Sequence, residues 1–399
     1  MTHRQVYMDN HATTQVDSRV VEVMLPYFTE VYGNAASASH SFGWAAKEAV
    51  DAARRSIATS INAQPKEVIF TSGATESNNL AIRGIAEKAR RKGVHFVSVV
   101  TEHSAILDPL KKLHQRGFEV TLLPVLQSPD KHAGMVLPQQ IADAIRDDTI
   151  LVSVMLANNE IGVIQPLEEI GRIGKERGVL LHTDATQAVG KIPVDVQRLG
   201  VDLMSFSAHK IYGPKGIGAL YVRRRAPHVR LEQLTYGGGH ELGMRSGTLN
   251  VPGIVGFARA LELCLEEMPS ERKRLRVLRD KLHEGLSAAV PHAHVNGPDL
   301  SLPDLRLPGN LNISFAGVDG ETLLMGMKGV AASSGAACTS ANPEPSHMLR
   351  AIGIGEDLTR GSLRFGLGRF NTEEDVDYVI GVVADAVTRL RQMSSLPVI

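Results

Sequence analysis

The chain has 399 residues, of which 43% are hydrophobic and 22% charged, so it is long enough to bury the cores of two globular domains. Its 43 lysines and arginines balance 43 aspartates and glutamates, and this neutral balance disfavours binding to nucleic acid or to an anionic membrane. Two cysteines are too few for a disulfide framework. The sequence contains no stretch of about 18 apolar residues, so no membrane span is predicted. With no basic and apolar leader near the start either, we expect a protein of the reducing cytoplasm.

Short apolar segments alternate with helical patterns over the first two thirds of the chain. One helical pattern, with apolar residues at spacings of three and four, runs from Ala46 to Ile61. Alternating strands and helices predict an α/β fold, with a largely parallel sheet covered by helices. The predicted strands are residues 68–70, 96–100, 150–156, 179–181, 203–206 and 219–222.

Polar residues follow five of these strands, at the point where folds of this kind bind ligands. In chain order they are the segment 71–76, His103, the segment 158–160, Asp184 and Lys210. Because the carboxyl ends of parallel strands meet at one edge of a sheet, we expect these side chains to share one site.

Lys210 and Asp184 are the residues that predict the chemistry. A lysine at a strand end can form a Schiff base with an aldehyde cofactor when desolvation or a neighbouring cation lowers its pKa. Pyridoxal phosphate suits such a lysine, and Asp184 would keep the ring nitrogen of that cofactor protonated. Taken singly, a solvated lysine and a helix-capping aspartate are the usual roles of these residue types.

A phosphate group needs its own binding site. The turn from Ser72 to Thr75 exposes backbone N–H groups at a helix start, and Thr75 and Ser207 can add hydroxyl donors. His103 could lie against a flat cofactor ring, and Gln187 could reach its phenolic oxygen. The alternatives are a plain capping turn, a structural histidine and an exposed glutamine.

The two cysteines have different settings in the sequence. Cys264 lies on the apolar face of a helical pattern and is expected in the core. Cys338 lies in a run of small residues, 333–343. A thiol in such a run is expected to be accessible, so this setting predicts that Cys338 is a nucleophile. Arg364 could bind a carboxylate through two hydrogen bonds, although a surface arginine is the alternative.

Eight segments, taken together and in this order, resemble the cysteine desulfurases, pyridoxal-phosphate enzymes of the class V aminotransferase fold. The resemblance covers roughly residues 6 to 390 and includes the loop around Cys338. The other segments are residues 9–14, 71–78, 102–103, 158–162, 182–184, 207–210 and 237–241.

The resemblance implies a fold type I homodimer, similar to aspartate aminotransferase. A large cofactor domain would span residues 15–255, and residues 1–14 with 256–399 would form a small α+β domain that carries the Cys338 loop. Individual roles also follow from the resemblance, and no metal is implied. Lys210 would carry the cofactor, Asp184 would pair with its ring nitrogen, and Gln187 would contact its phenolate oxygen. His103 would stack on the ring and transfer a proton, and Asn159 and Arg364 would bind the cofactor and the substrate carboxylate. The phosphate would be held by Ala74, Thr75, Ser207 and His209, and Thr248 would reach the phosphate of the neighbouring subunit.

The implied reaction converts L-cysteine to L-alanine and leaves a persulfide on Cys338. That sulfur would pass to an acceptor protein, such as an iron-sulfur scaffold, or serve the thiolation of tRNA or a cofactor. A selenocysteine lyase or a related class V aminotransferase is the alternative. A non-catalytic scaffold of the same fold would be expected to have lost Lys210 or Cys338, and the sequence retains both.

Three positions depart from the family pattern. Ala35 stands where proline is usual, Leu242 where arginine is common, and His11 at a variable position of its motif. None of the three is among the residues to which the resemblance gives a chemical role. The Cys338 loop resembles the long form of the first desulfurase group, and the Arg-x-Gly-His-His-Cys pattern of the second group is absent.

Overall fold

The computed structural model describes residues 4–226, 228–334 and 346–393. Its strands are β1 (Val6–Tyr7), β2 (Val68–Thr71), β3 (His95–Val99), β4 (Glu119–Leu123), β5 (Thr149–Ser153), β6 (Leu180–Asp184), β7 (Leu203–Ser207), β8 (Gly218–Val222), β9 (Ala293–Val295), β10 (Asn310–Phe315), β11 (Val330–Ala331), β12 (Ser333–Ser334) and β13 (Ser362–Gly366). Its α-helices are α1 (Ser18–Met24), α2 (Pro26–Thr29), α3 (Ser41–Ser60), α4 (Ala74–Ala89), α5 (Ser104–His114), α6 (Pro138–Ala144), α7 (Leu167–Arg177), α8 (Val196–Leu199), α9 (Val251–Ala289), α10 (Gly320–Gly326), α11 (His347–Ala351), α12 (Glu356–Arg360) and α13 (Glu373–Met393).

A seven-stranded sheet forms the centre of the larger part of the molecule, in the order β2-β8-β7-β6-β5-β3-β4. All neighbouring strands are parallel except β8, which runs antiparallel to both β2 and β7. Strands β2, β3, β5, β7 and β8 are buried along their whole length, as expected for strands covered on both faces. The predicted α/β fold with a mostly parallel sheet is confirmed.

Helix α3 corresponds to the helical pattern predicted between Ala46 and Ile61. His40 caps its start, with the imidazole accepting a hydrogen bond from the Gly43 N–H at 3.2 Å. The apolar positions Ala46, Val50 and Ile57 are buried, and the helix packs against α9. One face of the helix therefore supplies part of the core, as its spacing predicts.

A second sheet, in the order β12-β13-β10-β9, is antiparallel and has its own apolar core. Helix α9 joins the two cores, because Phe257 and Leu261 lie in the core of the large sheet while Leu278 and Leu282 lie in the second core. The domain boundaries given above remain predictions. None of the helices in the described ranges combines the length and apolar character needed to cross a bilayer.

The segment from residue 9 to residue 14 connects the two cores next to the sheet edge. The Asn10 N–H donates to the carbonyl oxygen of Gly366 in β13 at 3.0 Å, and the Thr14 N–H donates to the carbonyl oxygen of His209 at 2.9 Å. Strand β1, just before this segment, pairs in parallel with β11. The segment is thus hydrogen-bonded on one side to the small sheet and on the other to the loop after β7.

Candidate active site

A cavity of about 770 Å³ lies beyond the carboxyl ends of the parallel strands, between the large sheet and β13. Ten residues predicted from the sequence line this one cavity, which agrees with the expectation of a single site at one sheet edge. They are Ala74, Thr75, His103, Asn159, Asp184, Gln187, Ser207, His209, Lys210 and Arg364.

Lys210 follows β7 on a short 3-10 turn formed by Ala208–Lys210. Its Nζ donates to the carbonyl oxygen of His11 at 2.7 Å and to that of Ala12 at 2.5 Å. The amine is therefore held at the cavity wall by the segment that connects the two cores. A lysine in this position can attack an aldehyde that enters the cavity.

Asp184 ends β6 and is only 6% exposed. Its Oδ2 accepts a hydrogen bond from the Asn78 side-chain amide at 2.7 Å, and its Oδ1 accepts from the Thr186 N–H at 2.9 Å. Two donors fix the carboxylate in one orientation, which suits a partner for a protonated ring nitrogen. Asn78 was not assigned a role from the sequence, although it ends the motif that begins at Thr71.

A buried layer of polar side chains lies behind Asp184. The imidazole of His182 is hydrogen-bonded to the hydroxyls of Ser153 at 2.9 Å and Ser205 at 3.0 Å, which connects β5, β6 and β7. Burial lowers the pKa of His182 to about 4, so its ring is neutral at physiological pH. This layer stabilises the strand ends on which Asp184 and Lys210 depend.

His103 is the N-cap of α5, and its Nδ1 accepts a hydrogen bond from the Ala105 N–H at 3.0 Å. Because Nδ1 acts as an acceptor, the neutral ring carries its hydrogen on Nε2. The ring is thereby held in one orientation at the cavity wall. This placement is compatible with both roles that the resemblance implies, stacking on a planar ring and proton transfer.

Glu102, which belongs to a segment of the family resemblance but was given no role from the sequence, is a buried carboxyl next to His103. Its Oε1 accepts a hydrogen bond from the Met155 N–H at 2.5 Å. Burial raises the pKa of Glu102 well above its usual range and the charge of Asp184 raises it further, while the Met155 hydrogen bond lowers it. The local sequence gives no signal for this role, because Met155 lies after β5, far from Glu102 along the chain.

The start of α4 offers an anion site. Gly73 precedes the helix with φ of +156°, a conformation that favours glycine, and the first residues Ala74 and Thr75 line the cavity. Ser207 and His209 line the same cavity from the end of β7. Backbone N–H groups, hydroxyls and the positive end of a helix are the groups that bind phosphate in proteins.

His209 and Glu76 determine the charge around this anion site. Burial, with the positive charges of Lys210 and Lys215, lowers the pKa of His209 to about 4. Glu76 in the first turn of α4 forms an ion pair with Arg245 at 2.8 Å. Arg245 follows the segment 237–241, one of those that carry the family resemblance, and this contact places Arg245 at the rim of the cavity.

Arg364 extends from β13 on the opposite wall and is 4% exposed. Its Nη2 donates to Asp9 Oδ1 at 2.8 Å and to Ser333 Oγ at 2.9 Å, and its Nη1 donates to the Asn159 carbonyl oxygen at 3.3 Å. Its Nε is buried without a partner among the described residues. A guanidinium with a donor still available fits a carboxylate ligand. Asp9 and Ser333 were not assigned these contacts from the sequence.

Gln187 is buried, at 4% exposed, instead of lying on an exposed helix face. Its Nε2 donates to the carbonyl oxygen of His11 at 2.8 Å, and its Oε1 accepts from Lys191 Nζ at 2.7 Å. His11 and Lys191 are further residues whose contacts sequence reasoning missed. His11 attracted notice only as a variable position of its motif.

Two of the predicted residues are not placed at the cavity by the structure. Thr248 lies on an exposed loop and does not line the cavity, and its role toward a neighbouring subunit remains a prediction. Cys338 lies outside the described residues. Ser333, before that part of the chain, is bonded to Arg364, and Ser346, after it, donates to Glu160 at 2.6 Å.

The residues at the cavity fit pyridoxal phosphate. One space is surrounded by a lysine amine, a buried carboxylate that accepts two hydrogen bonds, an imidazole in a fixed orientation and the start of a long helix. The lysine would take the aldehyde, the carboxylate the ring nitrogen and the helix start the phosphate. The buried Nε of Arg364 leaves a donor for the carboxylate of an amino acid.

Comparison with known proteins gives a consistent set of relatives. The family model described as Aminotransferase class-V matches residues 6–379. The cysteine desulfurase IscS of Anaeromyxobacter sp. (strain Fw109-5) is 57% identical over 98% of this chain and 94% of its own length. A solved structure described as a NifS-like protein is similar with a TM-score of 0.88 at 39% identity, covering 96% of this chain and 100% of that one. Another, described as SspA in complex with cysteine, has a TM-score of 0.79 at 35% identity, covering 92% of this chain and 99% of that one.

Proposed function

The chain belongs to the class V aminotransferase family and to its cysteine desulfurases, and from this we propose that it uses pyridoxal 5'-phosphate to convert L-cysteine to L-alanine. The observation that carries the proposal is the meeting of Lys210, Asp184 and His103 at one cavity that Arg364 closes from the other side. The comparisons favour this activity over the alternative of a selenocysteine lyase or an ordinary aminotransferase.

Residues of both walls would hold the cofactor and the substrate. Lys210 would carry the cofactor, Asp184 would pair with its ring nitrogen, and the start of α4 would bind its phosphate. When bound, the cofactor supplies a ring that accepts the electrons released when a bond to the substrate Cα is broken. Arg364 would bind the substrate carboxylate through its remaining donor, which sets the amino acid across the cavity.

Lys210 and His103 would move the protons in this cavity. Two carbonyl oxygens hold the Lys210 amine at the cavity wall, where it would remove and return the proton at the substrate Cα. The His103 ring has its hydrogen on Nε2 when neutral and is fixed through Nδ1, so Nε2 is the atom that can donate a proton during the reaction. Glu102 behind it would hold the loop through Met155.

Sulfur transfer would take place at Cys338. The thiolate attacks the sulfur of the substrate, the Cβ–S bond of cysteine breaks, and an S–S bond forms, so that cysteine plus a thiol becomes alanine plus a persulfide. In support, the chain on both sides of residues 335–345 is anchored near the cavity. Ser333 contacts Arg364, and the ring of His347 lies 3.3 Å from the Glu102 carbonyl oxygen.

We further propose that two copies of the chain complete the site. Phe28, Tyr32, Phe42 and Trp44 are large apolar side chains that are each more than half exposed in the single chain, and the Tyr32 and Phe42 rings lie 5.6 Å apart. Exposed apolar groups of this size mark protein interfaces. A second copy that covers them would account for the exposure and could bring Thr248 to the neighbouring phosphate.

The persulfide would be passed to a sulfur-acceptor protein, such as an iron-sulfur scaffold, in the cytoplasm. Supply of sulfur for tRNA or cofactor thiolation is the other use of the same persulfide. The proposal rests on the relatives that are named as cysteine desulfurases IscS. It needs no nucleic-acid or membrane contact by this chain.

The activity is tested by incubating the purified protein with L-cysteine and a thiol reductant and measuring alanine and sulfide together. We expect equal amounts of both, with a visible absorbance band from bound cofactor. Lys210→Ala should lose that band and both products. Alanine without sulfide, pyruvate in place of alanine, or an unchanged band in Lys210→Ala would contradict the proposal.

A further inference from the structure

Gln187, His11 and Lys191 form a hydrogen-bonded cluster at the cavity wall, next to Lys210. Two donors meet at Gln187 Oε1, since Lys191 Nζ lies 2.7 Å from it and His11 Nδ1 lies 3.1 Å from it. On the other side of the amide, Nε2 donates to the carbonyl oxygen of His11 at 2.8 Å. One N–H of the Gln187 amide has no partner among the residues that the structure describes, and Gln187 lines the cavity.

The cluster allows only one orientation of the Gln187 amide. An ammonium group only donates hydrogen bonds and a carbonyl oxygen only accepts them, so Lys191 contacts the amide oxygen of Gln187 and the His11 carbonyl contacts the amide NH2. Rotating the amide by 180° would set its NH2 against Lys191 and its oxygen against the carbonyl of His11. Both contacts would be repulsive, and both would be buried.

The same contacts define the state of the His11 ring. Because Gln187 Oε1 accepts, His11 Nδ1 carries a hydrogen, and the ring is 3% exposed. Burial lowers the pKa of His11 well below its usual range, and the positive charges of Lys191, Arg364 and Lys210 lower it further, while the hydrogen bond to Gln187 raises it. The ring is therefore neutral at physiological pH, and its Nδ1–H supports the donor arrangement set by Lys191.

Charged groups surround Lys191 from several elements. Burial and then the positive charge of Lys210 lower the pKa of Lys191 to about 7, to which Arg364 also contributes, while Cys264 and Glu271 act in the opposite direction. An amine donates a hydrogen bond in either protonation state, so the contact with Gln187 persists on both sides of neutral pH.

We propose that Lys191 is a positioning residue that fixes the Gln187 amide, so that its remaining N–H faces the phenolic oxygen of the bound cofactor. This inference rests on the proposed function, because it assigns a use to the Gln187 donor within that site. The donor would stabilise negative charge on the ring oxygen and so lower the affinity of the bound cofactor for a proton. Lys191 itself would not touch cofactor or substrate.

The test is a pH titration of the visible absorbance of the bound cofactor. Lys191→Met removes one of the two donors to Gln187 Oε1 and keeps an apolar stem, which loosens the amide while both His11 contacts remain. We expect the titration midpoint to rise by up to roughly one pH unit, the scale of one hydrogen bond to a charged group. Gln187→Ala should give a rise of at least the same size. Lys191→Arg, which retains donors, should stay closer to the wild type.

Non-additivity is the decisive readout. If Lys191 acts through Gln187, the double variant Lys191→Met with Gln187→Ala should titrate like Gln187→Ala alone. Lys175→Met, at an exposed lysine of α7, serves as the control and should leave the midpoint unchanged. Thermal unfolding checks that each variant is folded, and Lys191→Leu provides the same comparison if methionine is not tolerated.

The outcomes separate this inference from the proposed function. A wild-type midpoint in folded Lys191→Met, or a double variant whose shift is the sum of the two single shifts, would overturn the positioning role while cysteine turnover by the wild type remained. A wild-type protein that binds no pyridoxal phosphate would overturn the proposed function itself.

Discussion

The availability of a thiolate decides whether a cysteine can act as a nucleophile, and the structure answers this question for Cys264. Cys264 is 2% exposed on α9, as its helical spacing predicts. Burial raises the pKa of its thiol to about 12, even though Arg369 nearby acts in the opposite direction. At neutral pH this thiol is protonated and enclosed, so it is a poor nucleophile. Any sulfur transfer through a cysteine of this chain is therefore expected at Cys338.

Substitution of each cysteine tests this expectation. Cys338→Ala should keep the absorbance of bound cofactor and still respond to added cysteine, but release almost no alanine or sulfide. Cys264→Ala should retain turnover and lose about 1 kcal/mol of unfolding free energy, because it truncates a core side chain. Mass spectrometry after brief exposure to cysteine should find one added sulfur on the Cys338 peptide. Added sulfur on Cys264 would reverse the assignment.

Glu102 leads to a prediction about pH. Its pKa is raised in the folded protein, so the unfolded chain releases this proton at lower pH than the folded chain does. The stability that depends on the protonated carboxyl is complete below the unfolded pKa of about 4.3 and is lost as pH rises through the folded pKa. Wild type should therefore lose stability relative to Glu102→Gln as pH rises above about 5.

Urea unfolding of both proteins between pH 5 and 8 measures this difference. Glu48→Gln, at an exposed position of α3, is the control and should track the wild type at every pH. A constant difference between wild type and Glu102→Gln across the range would show that Glu102 does not keep its proton in the folded protein.

At the scale of elements, the turn from β2 to α4 depends on the backbone of Gly73. With φ of +156°, an alanine there is strained whatever the space, at a cost of roughly 1–3 kcal/mol. Gly73→Ala should also shift the helix start and weaken cofactor binding by about tenfold, equivalent to about 1.4 kcal/mol. Gly178→Ala, at φ of +68° after α7, should cost stability without changing cofactor affinity. Equal affinity in both variants would contradict the role of this turn.

The strands that could be predicted from the sequence are those buried on both faces. Apolar runs correctly indicated β2, β3, β5, β6, β7 and β8. Strand β4 was missed because it lies at the sheet edge and begins with an exposed glutamate. Strand β13 was missed because Arg364 lies at its centre, and the aspartate that pairs with this arginine is 355 residues away.

The candidate site, like the strands, could be predicted from the sequence only where local pattern indicates the position of a residue. Asp184 ends a strand and Lys210 lies on the short turn after one, so their place at the sheet edge could be expected from local pattern and chemistry. Asn78, Glu102 and Lys191 take part through contacts with residues on other elements, and no local spacing indicates them. The resemblance to a family gave roles to residues such as His209 and Thr248 that spacing alone did not.

At the scale of the whole molecule, the exposed aromatic residues predict an obligate pair of chains. Sedimentation should show a dimer at micromolar concentration, and replacing both Tyr32 and Phe42 with aspartate should give monomers that bind cofactor weakly. Thr248→Ala should weaken cofactor binding while the dimer persists. A stable monomer with full cofactor occupancy and full activity would refute this prediction.

The segment that joins the two cores has a consequence for the order of events during synthesis. It connects Asn10 with Gly366, which are 356 residues apart, and it holds the amine of Lys210 through two carbonyl oxygens. At about 5 to 20 residues per second, a ribosome needs roughly 20 to 70 s between these two positions. Until β13 emerges, a nascent chain lacks the wall that carries Arg364. Under the proposed function, a nascent chain would therefore acquire the site for the substrate carboxylate only when its synthesis is almost complete.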